Sequence, residues 1–148
     1  MSESTIQILD YLPTLRVDDV LEDGLYPFSA PINQQQDLAQ SLHPHLDWSG
    51  LSADQADEHV YPLVLVKDRG HIYAFHDECP HRRLPISEQG YIDTERNLVM
   101  CGFHRWGFDL STGKHMIPTG NCIKSFLTYI SDQYIWVERW GITSQYTY

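Results

Sequence analysis

The chain of 148 residues has little basic charge in its first part, few cysteines and no long apolar run. Each shortage excludes something. The longest apolar stretches, such as Leu63-Val64-Leu65-Val66, are far too short to span a bilayer. The start, Met1-Ser2-Glu3-Ser4-Thr5, has neither a basic region nor an apolar core behind it, so it does not read as a secretory signal. A reducing, cytoplasmic setting is expected, where disulfides are rare. Three cysteines, an odd number, also argue against a disulfide framework. Residues 1–60 contain eleven Asp and Glu and one basic residue, Arg16, whereas residues 61–148 contain nine of each sign. The whole net charge of −10 therefore sits in the first 60 residues. Nucleic acid and anionic membrane, which need basic surface, are not expected partners.

What is present leans towards strands. Aromatics make up 12% of the chain, and Val and Ile are frequent. A first strand is expected within residues 6–17, followed by a turn over Asp18–Gly24 with Gly24 free to take positive φ. Leu25-Tyr26-Pro27-Phe28 reads as an edge strand, because Pro27 cannot donate to a central ladder. Residues 31–60 are polar and turn-rich, with short helices predicted over Gln34–Leu42, capped by Asn33, and over Ser52–His59. From Tyr61 onward the pattern changes. Tyr61–Lys67 and His71–Phe75 flank an Asp68-Arg69-Gly70 hairpin turn, and Tyr91-Ile92, Leu98-Val99-Met100 and Phe108-Asp109 follow as short strands. Phe126–Ile130 and Tyr134–Glu138 are predicted to form a terminal hairpin. Close-spaced short strands without βαβ alternation mean an all-β sandwich or barrel.

The chemistry is concentrated between Cys79 and His104. Cys79-Pro80-His81-Arg82 supplies one cysteine and one histidine, and Cys101-Gly102-Phe103-His104 supplies another of each, with nineteen residues between His81 and Cys101. Cysteine and neutral histidine ligate iron, zinc and copper. Structural zinc sites commonly pair like ligands, about two to four residues apart for cysteines and about three to five for histidines. Here each loop carries a mixed pair. That pattern suits a two-iron cluster with unlike ends, one iron taking two thiolates and the other two imidazoles. The other readings of the same four residues are a zinc site or four unligated side chains.

The segment Cys79-Pro80-His81-Arg82, Cys101-Gly102-Phe103-His104, with Trp106, Phe108-Asp109 and Thr112-Gly113 after it, resembles the Rieske [2Fe–2S] domain of Rieske-type ferredoxins and ring-hydroxylating oxygenases. The resemblance covers about residues 61–140 and, more weakly, 14–28. It implies stacked antiparallel sheets with cluster-binding loops at one tip, one [2Fe–2S] cluster per chain, and Cys79, His81, Cys101 and His104 as its ligands. Residues 1–148 are then expected to form a single Rieske domain with an acidic, irregular or short-helical insertion at about 31–60. Pro118 matches the family's proline loop over the cluster.

The resemblance also implies a function. The chain is expected to pass electrons as a ferredoxin-like carrier between a reductase and an oxygenase or similar acceptor, with no small-molecule substrate of its own. Two alternatives stand beside this: a small Rieske subunit of an oxygenase or nitrite-reductase-type complex, and a redox-sensing interaction module. A complete Rieske oxygenase needs a further domain with mononuclear iron on two histidines and a carboxylate. Only 44 residues follow His104, with His115 their one histidine, so this chain by itself is not expected to be that enzyme. High-potential relatives carry extra loop cysteines and a Ser and Tyr that hydrogen-bond the cluster. Leu84, Phe103, Trp106 and Phe108 stand at those positions, which implies the low end of the Rieske range.

Two positions depart from the family. Glycine commonly follows Cys-Pro-His-Arg and the second histidine; here Arg83 and Arg105 take those places. Together with Arg82 they are expected around an exposed tip, either paired with nearby carboxylates such as Asp77 or Glu78, or forming a positive docking patch. The acidic 1–60 segment is a solvated face or a surface that steers a basic partner. Cys122 is expected to be a small buried residue. His43-Pro44-His45-Leu46-Asp47 reads as turn or surface residues rather than a second metal site, and His71, His76 and His115 do not fit the ligand spacing. Trp106, Trp136 and Trp140 are expected in core or tip packing.

Overall fold

The computed structural model describes residues 8–48, 60–80, 83–102, 105–117 and 119–138. His81, Arg82, Phe103, His104, Pro118, Trp140 and the helix expected over Ser52–His59 lie outside the described residues.

Among the described residues, ten strands form three antiparallel sheets. In the first, β1 (Tyr11–Arg16), β10 (Tyr134–Glu138) and β9 (Thr128–Ser131) lie in that order. The second runs β2 (Leu25–Phe28), β3 (Leu63–Asp68), β4 (His71–His76) and β8 (Ser125–Phe126), and the third β5 (Tyr91–Asp93), β6 (Leu98–Cys101) and β7 (Trp106–Asp109). Helix α1 (Ile32–Leu42) packs on β1, and a single helical turn, α2 (Ile86–Gln89), precedes β5.

The second sheet is the middle layer, and β3 shows why. Leu63, Val64, Leu65 and Val66 are all buried, so the strand has no solvent face. Side chains alternate along a strand. Leu63 and Leu65 join Leu12, Ile32, Ile135 and Val137 in one core, while Val64 and Val66 join Cys79, Val99, Cys101 and Phe108 in the other. β4 repeats the alternation, with Ala74 in the first core and Phe75 in the second. A one-residue slip of β3 would exchange leucines for valines in both cores at once, so the register is fixed from two sides.

Several expectations shift in detail. Asp23, not Gly24, takes positive φ (+63°) in the turn before β2. Gly24 is there for space: a Cβ would come within 2.5 Å of the Tyr26 ring. Helix α1 starts two residues earlier than predicted, after Pro31, and Asn33 lies inside it without capping; the Gln34 N–H donates to the Pro31 carbonyl instead. Gln35 is buried and donates to the carbonyl of Pro13, tying α1 to β1. The run Phe126–Ile130 is two strands. It breaks at Leu127, so β8 pairs with β4 in the middle sheet while β9 pairs with β10. The predicted Asp68-Arg69-Gly70 hairpin forms, with Arg69 and Gly70 both at positive φ (+52° and +81°).

The segment after α1 is pinned to the sheets. His43 Nε2 lies 2.5 Å from an Asp132 carboxylate oxygen, and its ring meets Trp136 edge-on at 5.6 Å. Trp136 is fully buried, and its indole N–H donates to the Ser131 carbonyl. Among the described residues no helix is long and apolar enough to cross a membrane.

Candidate metal centre

The second core opens at one end onto two loops, each with a cysteine at its foot. The first leaves β4 and carries Cys79; the second is the four-residue connection of the β6–β7 hairpin, in which Cys101 pairs with Trp106. Both cysteines are buried, at 0% and 1% exposure, and neither is in a disulfide. Their neighbours in the core, Val64, Val99, Ile86 and Phe108, are apolar. Such surroundings shield a thiolate-bound metal from water and supply no competing oxygen ligand.

The loops share one backbone device. The N–H of Arg83 donates to the carbonyl of Cys79 (2.6 Å), and that of Arg105 to the carbonyl of Cys101 (2.8 Å). Each is a bond from residue i+4 back to the cysteine. Arg83 lies at φ +59° and Arg105 at φ +57°, so both glycine-like positions keep the left-handed conformation with a side chain present. That costs about 1–2 kcal/mol per residue. The first loop is closed further by the Cys79 N–H, which donates to Leu84 O. In the second, Gly102 lies so close to α2 that a Cβ would fall 1.8 Å from the Gln89 carbonyl oxygen. The two loops are thus joined through α2.

Asp77 anchors the first loop from within. It is buried and accepts from the Ser87 N–H (2.8 Å) and hydroxyl (2.5 Å), while its own N–H donates to Pro62 O. It pairs with no arginine among the described residues. The Glu78 carboxylate lies 3.9 Å from His76 Nδ1, and the His76 ring stacks on Tyr61 at 4.7 Å. Burial holds the His76 pKa below the ordinary histidine value, against the opposing pull of Glu78 and Asp77. The pairing of Arg83 and Arg105 with Asp77 or Glu78 is therefore not found, and no ion pair of either arginine occurs among the described residues.

Over the second loop, His115 stacks on Trp106 (4.2 Å, 16° between planes), and its Nδ1 lies 2.8 Å from the Thr119 hydroxyl. The Met116 N–H donates to Gly107 O, holding this covering segment against β7. No spacing rule singled out His115; its place on Trp106 follows from the return of the chain over β7. Cys122, expected to be buried, is exposed, and it faces Lys114 in an isolated bridge. It is not part of the buried cluster that contains Cys79 and Cys101.

The model for the Rieske [2Fe–2S] domain family matches residues 47–127, more than half of the chain. The chain belongs to this family. A Rieske domain holds a Rieske-type [2Fe–2S] cluster, which is a one-electron redox centre. The match begins at residue 47, so part of the acidic stretch taken from the sequence as an insertion falls within it. Pheophorbide a oxygenase, chloroplastic, of Oryza sativa subsp. japonica is 45% identical over 58 residues, 38% of this chain and 11% of that protein. The 4beta-methylsterol monooxygenase of Methylococcus capsulatus is 45% identical over 48 residues, 32% of this chain and 12% of that protein. The chain thus spans about one ninth of the length of these curated relatives. Among solved structures, the ferredoxin of carbazole 1,9a-dioxygenase from Nocardioides aromaticivorans IC177 superposes with a TM-score of 0.59 over 86% of this chain and 96% of that one, at 16% identity. That likeness bears out the stacked antiparallel sheets expected of the fold.

The residues present suit the cluster. Two buried thiols outside any disulfide, in one apolar core and beneath matched turns, have the chemistry that one iron of such a cluster would need from its thiolate donors.

Proposed function

We propose that the chain is a single Rieske domain that carries one electron at a time between a reductase and an oxygenase-type acceptor. Cys79 and Cys101 hold one iron as thiolates, and His81 and His104 hold the other as imidazoles. The observation that carries this reading is the pair of buried thiols at the feet of two loops with the same cysteine-to-arginine turn. The cluster supplies a redox couple that changes by one electron. The protein excludes water from the thiolates with Val64, Val99 and Phe108, and fixes both loops with backbone bonds. Leu84, Trp106 and Phe108 carry no hydroxyl or thiol that could hydrogen-bond the cluster's sulfurs. Such bonds favour the reduced state, so their lack supports a midpoint at the low end, roughly −150 mV rather than +300 mV.

The test is direct. Purified protein should contain about two iron and two acid-labile sulfide per chain. It should accept one electron from a reductase and return it to an acceptor without turning over a substrate, with a midpoint below zero. Zinc in place of iron, or a midpoint above zero, overturns the corresponding claim. The curated relatives are oxygenases that this chain matches over a small share of their length, which supports a second reading as a component of an oxygenase complex. Stable co-purification with a catalytic subunit would favour it.

A further inference from the structure

Resting on the electron-transfer reading, we propose that Arg83 and Arg105, flanked by Leu84, Met116 and Ile117, form a docking face for an acidic redox protein. The partner presents carboxylates around an apolar spot.

Five arginines are described, and their side chains divide cleanly. Arg16 bonds the Gln133 side chain and lies 5.4 Å from the centroid of the Tyr134 ring. Arg69 donates to Thr94 O and lies 3.9 Å from Asp68, and Arg96 pairs with Asp93 at 2.7 Å. Each of these ties one part of the chain to another. Arg83 and Arg105 are exposed, and their guanidinium groups make no hydrogen bond or ion pair with a described residue. The turns need only their backbone N–H groups, which glycine would supply without the left-handed penalty. The side chains therefore serve nothing inside the described structure.

Their surroundings point outward too. Leu84, next to Arg83, is 36% exposed; Met116 and Ile117, held beside β7 by the Met116–Gly107 bond, are 43% and 56% exposed. Guanidinium groups beside exposed methionine and aliphatic carbon are the composition of a binding surface. The nearby carboxylates do not cancel the charge. Asp77 is buried on Ser87 and Glu78 faces His76, which leaves Glu88 on α2 as the exposed acid of that segment. Two arginines without an ion pair among the described residues thus stand on a chain of net charge −10. Contact made elsewhere on this surface would select a basic partner; contact at the tip selects an acidic one. A nucleic acid is a poor fit, because its binding grows with the number of phosphates neutralised and two arginines supply few.

The test uses the holoprotein and its Arg83→Gln/Arg105→Gln double variant, which keeps both side-chain lengths and the same backbone demand. Each is reduced with dithionite and then reoxidised by hexacyanoferrate(III), an anion that takes one electron and leaves as hexacyanoferrate(II), or by the cation tris(phenanthroline)cobalt(III). In the native protein, added salt should slow oxidation by the anion despite the negative net charge. In the variant that rate should fall about tenfold at low ionic strength, with oxidation by the cation unchanged or faster. A second arm maps the surface without electron transfer. The paramagnetic anion hexacyanochromate(III) should broaden the methyl signals of Leu84 and Met116 in the native protein and not in the variant. Equal anion rates in the two proteins, or broadening centred away from these methyls, overturns the proposal. Protein that purifies without iron and sulfide sinks the electron-transfer reading, while the anion map still decides the docking face.

Discussion

Arg83 and Arg105 occupy equivalent places in two loops from different sheets: each stands four residues beyond a buried cysteine, in left-handed conformation, with its N–H on that cysteine's carbonyl. The same bond thus closes both loops on cysteines of the second core. In the first loop the histidine is two residues after the cysteine, and in the second three.

The left-handed arginines predict an unusual response to substitution. Arg83→Gly and Arg105→Gly each remove a penalty of about 1–2 kcal/mol and add back roughly 0.5–1 kcal/mol of chain entropy. Each should leave stability unchanged or raise it by about 1 kcal/mol. Arg83→Val should lose at least about 1 kcal/mol, because a β-branched residue is a strong outlier at positive φ. Urea unfolding of the cluster-loaded proteins checks the order Gly, Arg, Val; valine matching arginine would show that the turn is not held as described.

Gly102 is the contact between the second loop and α2. Gly102→Ala places a methyl 1.8 Å from the Gln89 carbonyl oxygen, so either the hairpin loop or α2 must move. The cost should be about 1–3 kcal/mol, at the upper end because the obstacle is backbone. The sensitive measurement is iron and sulfide per folded chain, which should fall well below the native content. Full loading at native stability would mean that the approach is looser than the structure has it.

The three cysteines should separate by spectrum. Cys79→Ser or Cys101→Ser removes a buried thiolate donor and should abolish the visible chromophore. Cys122→Ser changes an exposed residue away from the second core and should leave absorption and iron content intact. Bleaching by Cys122→Ser would refute the four-ligand assignment.

Asp109 gives a pH-dependent prediction. Its carboxylate accepts from the Ser111 hydroxyl (2.6 Å), the Ser111 N–H (2.7 Å) and the Thr112 N–H (3.1 Å), and these bonds hold its pKa below the usual carboxylate value. A depressed folded-state pKa stabilises the fold above the unfolded value of about 3.9 and ceases to do so as pH falls through the folded value. Asp109→Ala should therefore cost about 0.5–1 kcal/mol at pH 7, modest because water competes at this site. The gap to the native protein should narrow below about pH 3.9 in thermal melts run across pH. A gap that stays constant with pH would assign the loss to packing.

Much of the site was legible in the chain. Strand alternation, the Asp68-Arg69-Gly70 turn and the Pro27 edge are local properties, and local properties survive folding. The mixed Cys and His pairs carry their chemistry in residue type and spacing, so the family could be read from them. The misreadings share a cause. Gly24 reads as the residue with the special backbone that Asp23 in fact adopts, because only the packed Tyr26 ring shows why glycine is required next door. Phe126–Ile130 looks like one strand, because nothing local records that Leu127 is where the chain passes from one sheet to another. Cys122 was assigned to the interior on residue type alone, and its exposure is a matter of where the covering segment lies.

The sequence by itself determined the family and the all-β class, since these rest on motif chemistry and on period-two patterning. Only the tertiary structure decided what the arginines do. Whether Arg83 and Arg105 meet a carboxylate depends on where Asp77 and Glu78 point, and those are turned to Ser87 and His76 by contacts made across the fold. The chain lists charges in order; packing selects which of them neutralise one another and which are left for a partner.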